Sequence, residues 1–299
     1  MSTQKYAAEL TGVQASWARY TQSRFALFAL GVFLFLVLAA VFGPYLAPQN
    51  PYDLAQIDIL DARLPPGSAM SSHPAMQYVL GTDGQGRDML SAMLYGLRIS
   101  LLVGLVSSGL ALVLGLTVGL LAAYRGGWLD AVLMRIADIQ FSFPAMLLAL
   151  VLLAVLGVGL EKIILALVAV QWAYYARTVR GAALAEVQKE YIQAAQLLGL
   201  PSWRIVFYHL LPNSLPPVLV VAALQVASAI SLEATLSFLG IGLPITEPSL
   251  GLLIANGFQY LLSGKYWISL FPGVALLLLV GSINVIADQL RDALNPRLR

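Results

Sequence analysis

The 299-residue chain has no cysteine. That excludes disulfides and thiolate metal sites outright. It has two histidines, His73 and His209. Charged residues make up only 11% of the chain, where ordinary soluble domains carry about 25%. A net charge of +2 is too small to argue for nucleic acid. The only Gly-Lys pair is Gly264-Lys265, followed by Tyr266. A phosphate-cradling loop needs Ser or Thr there and a glycine-rich turn before it. No Gly-x-Ser-x-Gly elbow exists either. The acids are scattered and form no convergent catalytic set, so the chain reads as a non-enzyme that holds no cofactor or metal.

What is present is apolar sequence. Hydrophobic residues make up 59% of the chain, and mean hydropathy is +0.81. A helical span needs about 20 predominantly apolar residues. Six apolar runs meet or approach that length: residues 25–42, 99–123, 141–160, 163–176, 215–232 and 267–287. The run at 163–176 is short and contains Gln171. Residues 1–24 are polar, and the first run is long for a cleaved signal, so it is expected to be retained. Residues 43–96 carry six prolines and five aspartates. Such a segment cannot lie in hydrocarbon, where its backbone groups would go unsatisfied. The glycine- and proline-broken stretch 239–262 is expected to be a non-spanning loop with a partly buried helix. The fold class is therefore an all-α membrane protein with six spans.

Six spans put both termini on one side. Lysine and arginine choose the side. Twelve of the seventeen basic residues fall on the face that holds the termini, the 124–135 loop and the 177–212 loop. Hence residues 1–24, the tail 290–299 and the 177–212 loop are expected to be cytoplasmic, and 43–96 extracytoplasmic. Residues 97–289 form a five-span core. His73 and His209 then lie on opposite faces and cannot share a metal.

Residues 190–212 interrupt the apolar pattern most strongly. The segment reads EYIQAAQLLGLPSWRIVFYHLLP. Residues 191–198 contain good helix formers. Gly199 can take the left-handed geometry that ends a helix. Pro201 and Ser202 can open a second helix, with Trp203, Val206, Phe207 and Leu210 at helical spacing. Pro212 is expected to end it. Such a helix-turn-helix suggests a protrusion that docks into something.

This segment resembles the EAA loop of bacterial ABC-importer permeases. The pattern falls on Gln193-Ala194-Ala195, then Gly199, His209 and Leu211-Pro212. Gln193 stands where Glu is usual and His209 where Ile is usual. The resemblance implies an ATPase-coupling loop that includes Tyr191, Gln193, Ala194, Ala195, Gly199, Leu211 and Pro212. Ala194, Ala195 and Gly199 would be its close-packed contact and Gln193 a polar one.

A second stretch, LGTDGQGRDMLSAMLYGLRISLLVG at 80–104, is similar to the signature of the dipeptide, oligopeptide and nickel permease group. There Arg87 lies between Asp83 and Asp88 and can pair with either. These three residues are candidates for an outer lip or gate, with a structural role favoured over substrate contact. Further similarity lies at 124–138, 232–240 and 290–297. Glu233, at the outer end of the fifth span, either lines the pathway or gate or is an interface acid bonded to the glycine-rich backbone that follows. Asp138, Asn284 and Asp288 read as structural, and Gly115 and Gly119 as a close-packing pair.

The family resemblance implies the second permease chain of a peptide importer. Its partners would be a homologous permease, two cytoplasmic ATPases carrying ATP and Mg, and an extracytoplasmic solute-binding protein, all at the inner membrane. The alternative is an ion-coupled secondary transporter, for which Glu233 is the only good candidate acid.

Overall fold

The computed structural model describes residues 20–71, 75–244 and 246–294. Expectations for residues 1–19, His73 and residues 295–299 lie outside them. Helix α1 is Arg24–Leu46, started by the Ser23 hydroxyl, which accepts from the amide of Ala26 at 3.2 Å. Helix α2, Met89–Arg125, has 37 residues, about 55 Å at 1.5 Å per residue. Helices α3 (Gly127–Phe141) and α4 (Ala145–Leu156) follow, then α5 (Leu160–Val187). After these come α6 (Glu190–Leu197), α7 (Ser202–Ile205), a π turn at Val206–Leu210 and α8 (Leu211–Phe238). Helices α9 (Leu250–Phe258) and α10 (Trp267–Leu294) complete the chain.

Among the described residues, four helices are long and apolar enough to cross a membrane: α1, α2, the continuous Ser202–Phe238 and α10. A fifth crossing exists if α3 and α4, bent by 91° at their junction, count as one. The run at 141–160, expected as one span, is thus a 12-residue helix that begins after Pro144. Proline lacks the N–H of a helix interior and excludes the α region for the residue before it. The run at 163–176 is the centre of a longer helix, α5. Its polar residues turn into the bundle, so it need not be apolar all round, although Gln171 Oε1 is buried without a hydrogen-bond partner. Gln171 Nε2 donates to the Gln225 carbonyl at 2.8 Å, and the Ser108 and Tyr175 hydroxyls share a hydrogen bond of 2.5 Å. The 239–262 stretch holds the short helix α9, as its broken pattern predicts.

The α2–α5 pair is the backbone of the bundle. A Cβ on Gly115 would sit 2.3 Å from Tyr175 Cβ, and one on Gly119 2.6 Å from the Ala176 carbonyl. No real Cβ tolerates such distances, so the two glycines set how closely α5 approaches. In a membrane, van der Waals packing of this kind replaces hydrophobic transfer as the force between helices. Helices α1 and α10 pack on the N-terminal half of α2 through Leu36, Ala40, Leu97, Leu101 and Leu279.

Residues 47–88 form the segment between α1 and α2; of the expected 43–96 loop, residues 43–46 lie in α1 and residues 89–96 in α2. The segment contains short 3-10 turns and a two-stranded ribbon, Ser68–Ala69 against Gln77–Tyr78.

Gly115→Leu is expected to destabilise the chain by more than the 1–3 kcal/mol typical of overpacking, because backbone as well as side chain blocks it. Gly109→Leu, with nothing within 4 Å, is the control. Thermal denaturation in detergent followed by size-exclusion fluorescence reads both. Equal melting temperatures would refute the close-packing role.

Candidate functional site

The 190–212 element is built outward from the end of α5. Ile192 is fully buried and Ala195 nearly so, and both pack into a core with Tyr175, Val179, Ala183 and Ile205. The helix ends in a Schellman motif. Gly199 has φ +71°, its amide bonds the Gln196 carbonyl at 3.0 Å, and the Leu200 amide bonds the Ala195 carbonyl at 3.2 Å. Pro201 then caps α7.

Pro212 does not end this helix. Ser202–Phe238 is continuous, and Pro212 sits in the first turn of α8. The preceding π turn, closed by the Leu211 amide on the Val206 carbonyl, absorbs the register change. Pro216 and Pro217 follow within the helix, so two more backbone donors are missing just above the element.

Tyr191 ties the element to its neighbours. Its hydroxyl donates to the Glu186 carboxylate at the end of α5. It accepts from Asn213 Nδ2 at 3.1 Å, and the same amide donates to the His209 carbonyl at 2.7 Å. Lys189 Nζ closes on Glu186 at 2.8 Å. The Tyr191 hydroxyl is pushed up to about 12, by burial first and by the Glu186 carboxylate second.

The sequence-predicted residues therefore divide. Gln193, Ala194 and Pro212 are exposed, Tyr191 is partly so, and Gly199 lies open at the turn. Nothing stands within 4 Å of where a Gly199 side chain would begin, so this chain needs its positive φ, not its small size. Ala195 turns inward, which corrects its expected place in the outer contact, and Leu211 is half-buried. Sequence reasoning missed Leu197 and Leu198, which are 90% and 81% exposed. The helical period carried the signal, because residues five and six on from Ile192 fall off the face that Ile192 and Ala195 share. Trp203, Phe207 and Tyr208 extend this exposed apolar surface.

Helix α3 is pinned to α5 by two ion pairs. Arg180 meets Asp130 through two bonds, at 2.5 and 2.6 Å. Arg177 meets Asp138 and lies 4.3 Å over the Phe141 ring. The expected structural role of Asp138 has this partner.

The outer-lip residues form a buried knot. Arg87 pairs with Asp83 at 2.7 Å, both nearly inaccessible. Asp88 is not its partner but the cap of α2, accepting from the Ser91 amide at 2.8 Å and the Ser91 hydroxyl at 2.6 Å. Burial pushes the Asp88 carboxyl up, and the Ser91 bonds pull it back in part. Gly86 has φ +85°, and a Cβ there would strike the Asp58 carbonyl at 2.1 Å. The Trp267 indole donates to the Thr82 carbonyl at 3.2 Å, which ties the knot to α10.

Glu233 is wholly inaccessible. Its carboxylate accepts from Ser237 at 2.7 Å and from Ser100 of α2 at 3.1 Å, and Ser249 adds a third hydroxyl. Serine hydroxyls, not the glycine-rich backbone, satisfy it. The arrangement joins α8, α2 and the start of α9.

The described bundle thus has a buried polar seam, a buried ion-pair knot before α2 and an exposed apolar element between its fifth and eighth helices. The chain belongs to the family of binding-protein-dependent transport system inner membrane components, whose model matches residues 115–299. Residues 13–66 match the N-terminal transmembrane domain of oligopeptide transport permease C. It is 36% identical to a di/tripeptide transport system permease of Pseudomonas aeruginosa, over 95% of this chain and 91% of the relative. It is 38% identical to a probable D,D-dipeptide permease of Escherichia coli, over 89% and 85%. A putative peptide permease of Brucella suis is 40% identical over 91% and 88%. Among solved structures, an inward-facing MetNI methionine ABC transporter is similar with TM-score 0.56 and 25% identity, over 69% of this chain and 98% of that one. The chain is a permease subunit of an ABC importer, and this decides against the ion-coupled alternative.

One acid in the outer segment carries a pH dependence. Asp61 accepts from the Ser71 amide at 3.1 Å, the Tyr78 hydroxyl at 2.8 Å and the Ser71 hydroxyl. Burial alone would raise its carboxyl, but these bonds outweigh it and hold the group below its ordinary 3.8. The folded segment thus binds this proton less readily than the unfolded one. The stability it supplies is complete above the ordinary value and is lost as pH falls through the depressed one. Limited proteolysis of the 47–88 segment is expected to rise steeply below about pH 4. Asp61→Asn should be cleaved faster at neutral pH and show a weaker acid step. An identical pH profile for that variant would sink the assignment.

Proposed function

We propose that this chain pairs with a second, homologous permease to form the translocation pathway for di- or oligopeptides. Its six crossings would be α1, α2, the α3/α4 pair, α5, α8 and α10, with both termini and the 190–212 element in the cytoplasm. Helix α5 is the sixth because its polar residues face partners within the bundle. The peptide substrate is supported by the names of the relatives above. An extracytoplasmic solute-binding protein would deliver the peptide. Two cytoplasmic ATPases would bind ATP and Mg.

The observation that carries the coupling reading is the exposed pair Leu197 and Leu198 beside Trp203 and Phe207. Large apolar side chains on a water-facing protrusion mark an interaction surface. They would fill a socket on one ATPase. ATP binds the closed arrangement of the ATPases better than the open one, and that difference does the work on the permease. Tyr191, bonded to Glu186 and Asn213, would carry the movement of α6 into α5 and α8. Gly199 shapes the turn, since a side chain at its positive φ costs about 1–2 kcal/mol. Glu233 would hold α2, α8 and α9 together as a structural acid.

Leu198→Asp and Gly199→Glu are each expected to leave the chain in the membrane with its second permease. Both should lower ATPase co-purification at least about tenfold, equivalent to 1.4 kcal/mol of contact energy, and abolish ATP-driven peptide uptake. Normal uptake with retained ATPase in both variants would remove the element from coupling.

A further inference from the structure

Helices α5 and α8 meet along two apolar groups. Tyr175 and Val179 of α5 share one core with Val218 of α8. Ala166, Leu167 and Val170 share another with Ala229 and Leu236. Between the two groups, Gln171 and Gln225 stand opposite each other. Gln171 Nε2 donates to the main-chain carbonyl of Gln225 at 2.8 Å, which puts the two residues in direct contact. Residues 218, 222, 225 and 229 recur at helical spacing, so the Gln225 side chain lies on the face of α8 that carries both cores. Gln171 is 1% exposed and Gln225 8%.

That bond uses only half of what the pair offers. Gln171 Oε1 is a buried acceptor and Gln225 Nε2 a buried donor, and neither has a hydrogen-bond partner among the described residues. Leaving a buried donor or acceptor unmet costs more than an ordinary hydrogen bond contributes. The two unmet groups are complementary in kind and belong to residues already in contact. A shift of about 1–2 Å between the helices, the size of step by which packed helices change arrangement, would let them satisfy each other.

The two helices are connected to the 190–212 element in different ways. Helix α5 is unbroken from Gln171 to Glu186, about 22 Å, and Glu186 accepts from Tyr191. Helix α8 is held higher up, where Glu233 bonds Ser100 of α2, while Pro212, Pro216 and Pro217 loosen its first turns. Movement of the element therefore reaches Gln171 through α5 without passing through the proline stretch of α8. We propose that Gln171 and Gln225 form a two-position latch between α5 and α8. In the present arrangement Gln171 holds the Gln225 main chain. In the arrangement that ATP selects, its Oε1 accepts from Gln225 Nε2. This rests on the importer reading, which supplies the second arrangement, and adds to it a contact that differs between the two.

The test uses the full importer complex in lipid nanodiscs with its binding protein. It reads the ATP concentration that half-traps the complex with vanadate, and the melting temperature without nucleotide. Gln225→Leu is expected to raise the half-trapping concentration about tenfold, and Gln171→Leu added to it raises it no further, because one pair can be lost only once. The present bond uses the Gln225 main chain, so Gln225→Leu keeps it and removes an unmet donor. Its melting temperature without nucleotide should not fall. Gln225→Met, with a side chain of similar length, reads the same quantities if the leucine variant assembles poorly. Unchanged trapping in the Gln225 variants overturns the latch. So does a double variant roughly tenfold worse than Gln225→Leu, which would make the two residues independent. A lower melting temperature without nucleotide would show that Gln225 Nε2 already has a partner there, such as a bridging water, and that also overturns it. A wild-type complex that neither traps ATP nor takes up dialanine would instead break the importer reading, and the latch with it.

Discussion

Helix α5 can lie against α2 only because Gly115 and Gly119 have no side chains. With Tyr175 Cβ 2.3 Å from a would-be Cβ on Gly115, the backbones are as close as two helices come. The polar contacts on the α2 side of α5 depend on that approach. Tyr175 reaches Ser108 of α2, and Gln171 reaches the backbone of α8. On the opposite side, Arg177 and Arg180 reach the acids of α3. In water these contacts would compete with solvent. In hydrocarbon an unsatisfied amide or hydroxyl costs several kcal/mol, so the packing that brings partners together also makes the polar residues tolerable.

The same helix delivers the 190–212 element. Where α5 ends, Glu186 accepts from Tyr191 and Lys189, and Asn213 of α8 reaches back to the same tyrosine. The element is thereby joined to the feet of two helices. Its second limb runs into α8 without a stop, through a π turn and past three prolines. Missing backbone donors weaken a helix locally. A protrusion bonded firmly at its base and connected upward through a weakened stretch can shift the feet of α5 and α8 without dragging the whole of α8 rigidly with it.

Much of this was legible in the sequence. Apolar runs located the helices, Gly199 marked the turn, and the small pair at 115 and 119 marked a close contact. What escaped has physical reasons. The run at 141–160 reads as one span by its apolar length, and only Ser142 and Pro144 near its start mark the bend. Pro212 was read by its local rule, that proline stops helices. The rule failed because the π turn before it carries the helix on past the lost donor. Ala195 was grouped with Ala194 by motif, yet adjacent helical residues point about 100° apart, and only one of them can face outward. The choice between Asp83 and Asp88 for Arg87 needed the cap geometry of α2, which no spacing argument supplies.

Glu233 and Arg98 show how to separate a structural charge from one that awaits a partner. Both carry charge-bearing groups far along membrane-length helices, and sequence alone flagged only Glu233. Its carboxylate is closed off by hydroxyls from three segments and has no accessible surface. Such a group has no unmet demand, so nothing outside the chain is needed to explain it. Arg98 has the opposite character: it is exposed and has no ionic partner among the described residues. Its guanidinium is left to water or to a molecule from outside the chain, so burial and pairing, rather than position along a helix, are what separate the two charges.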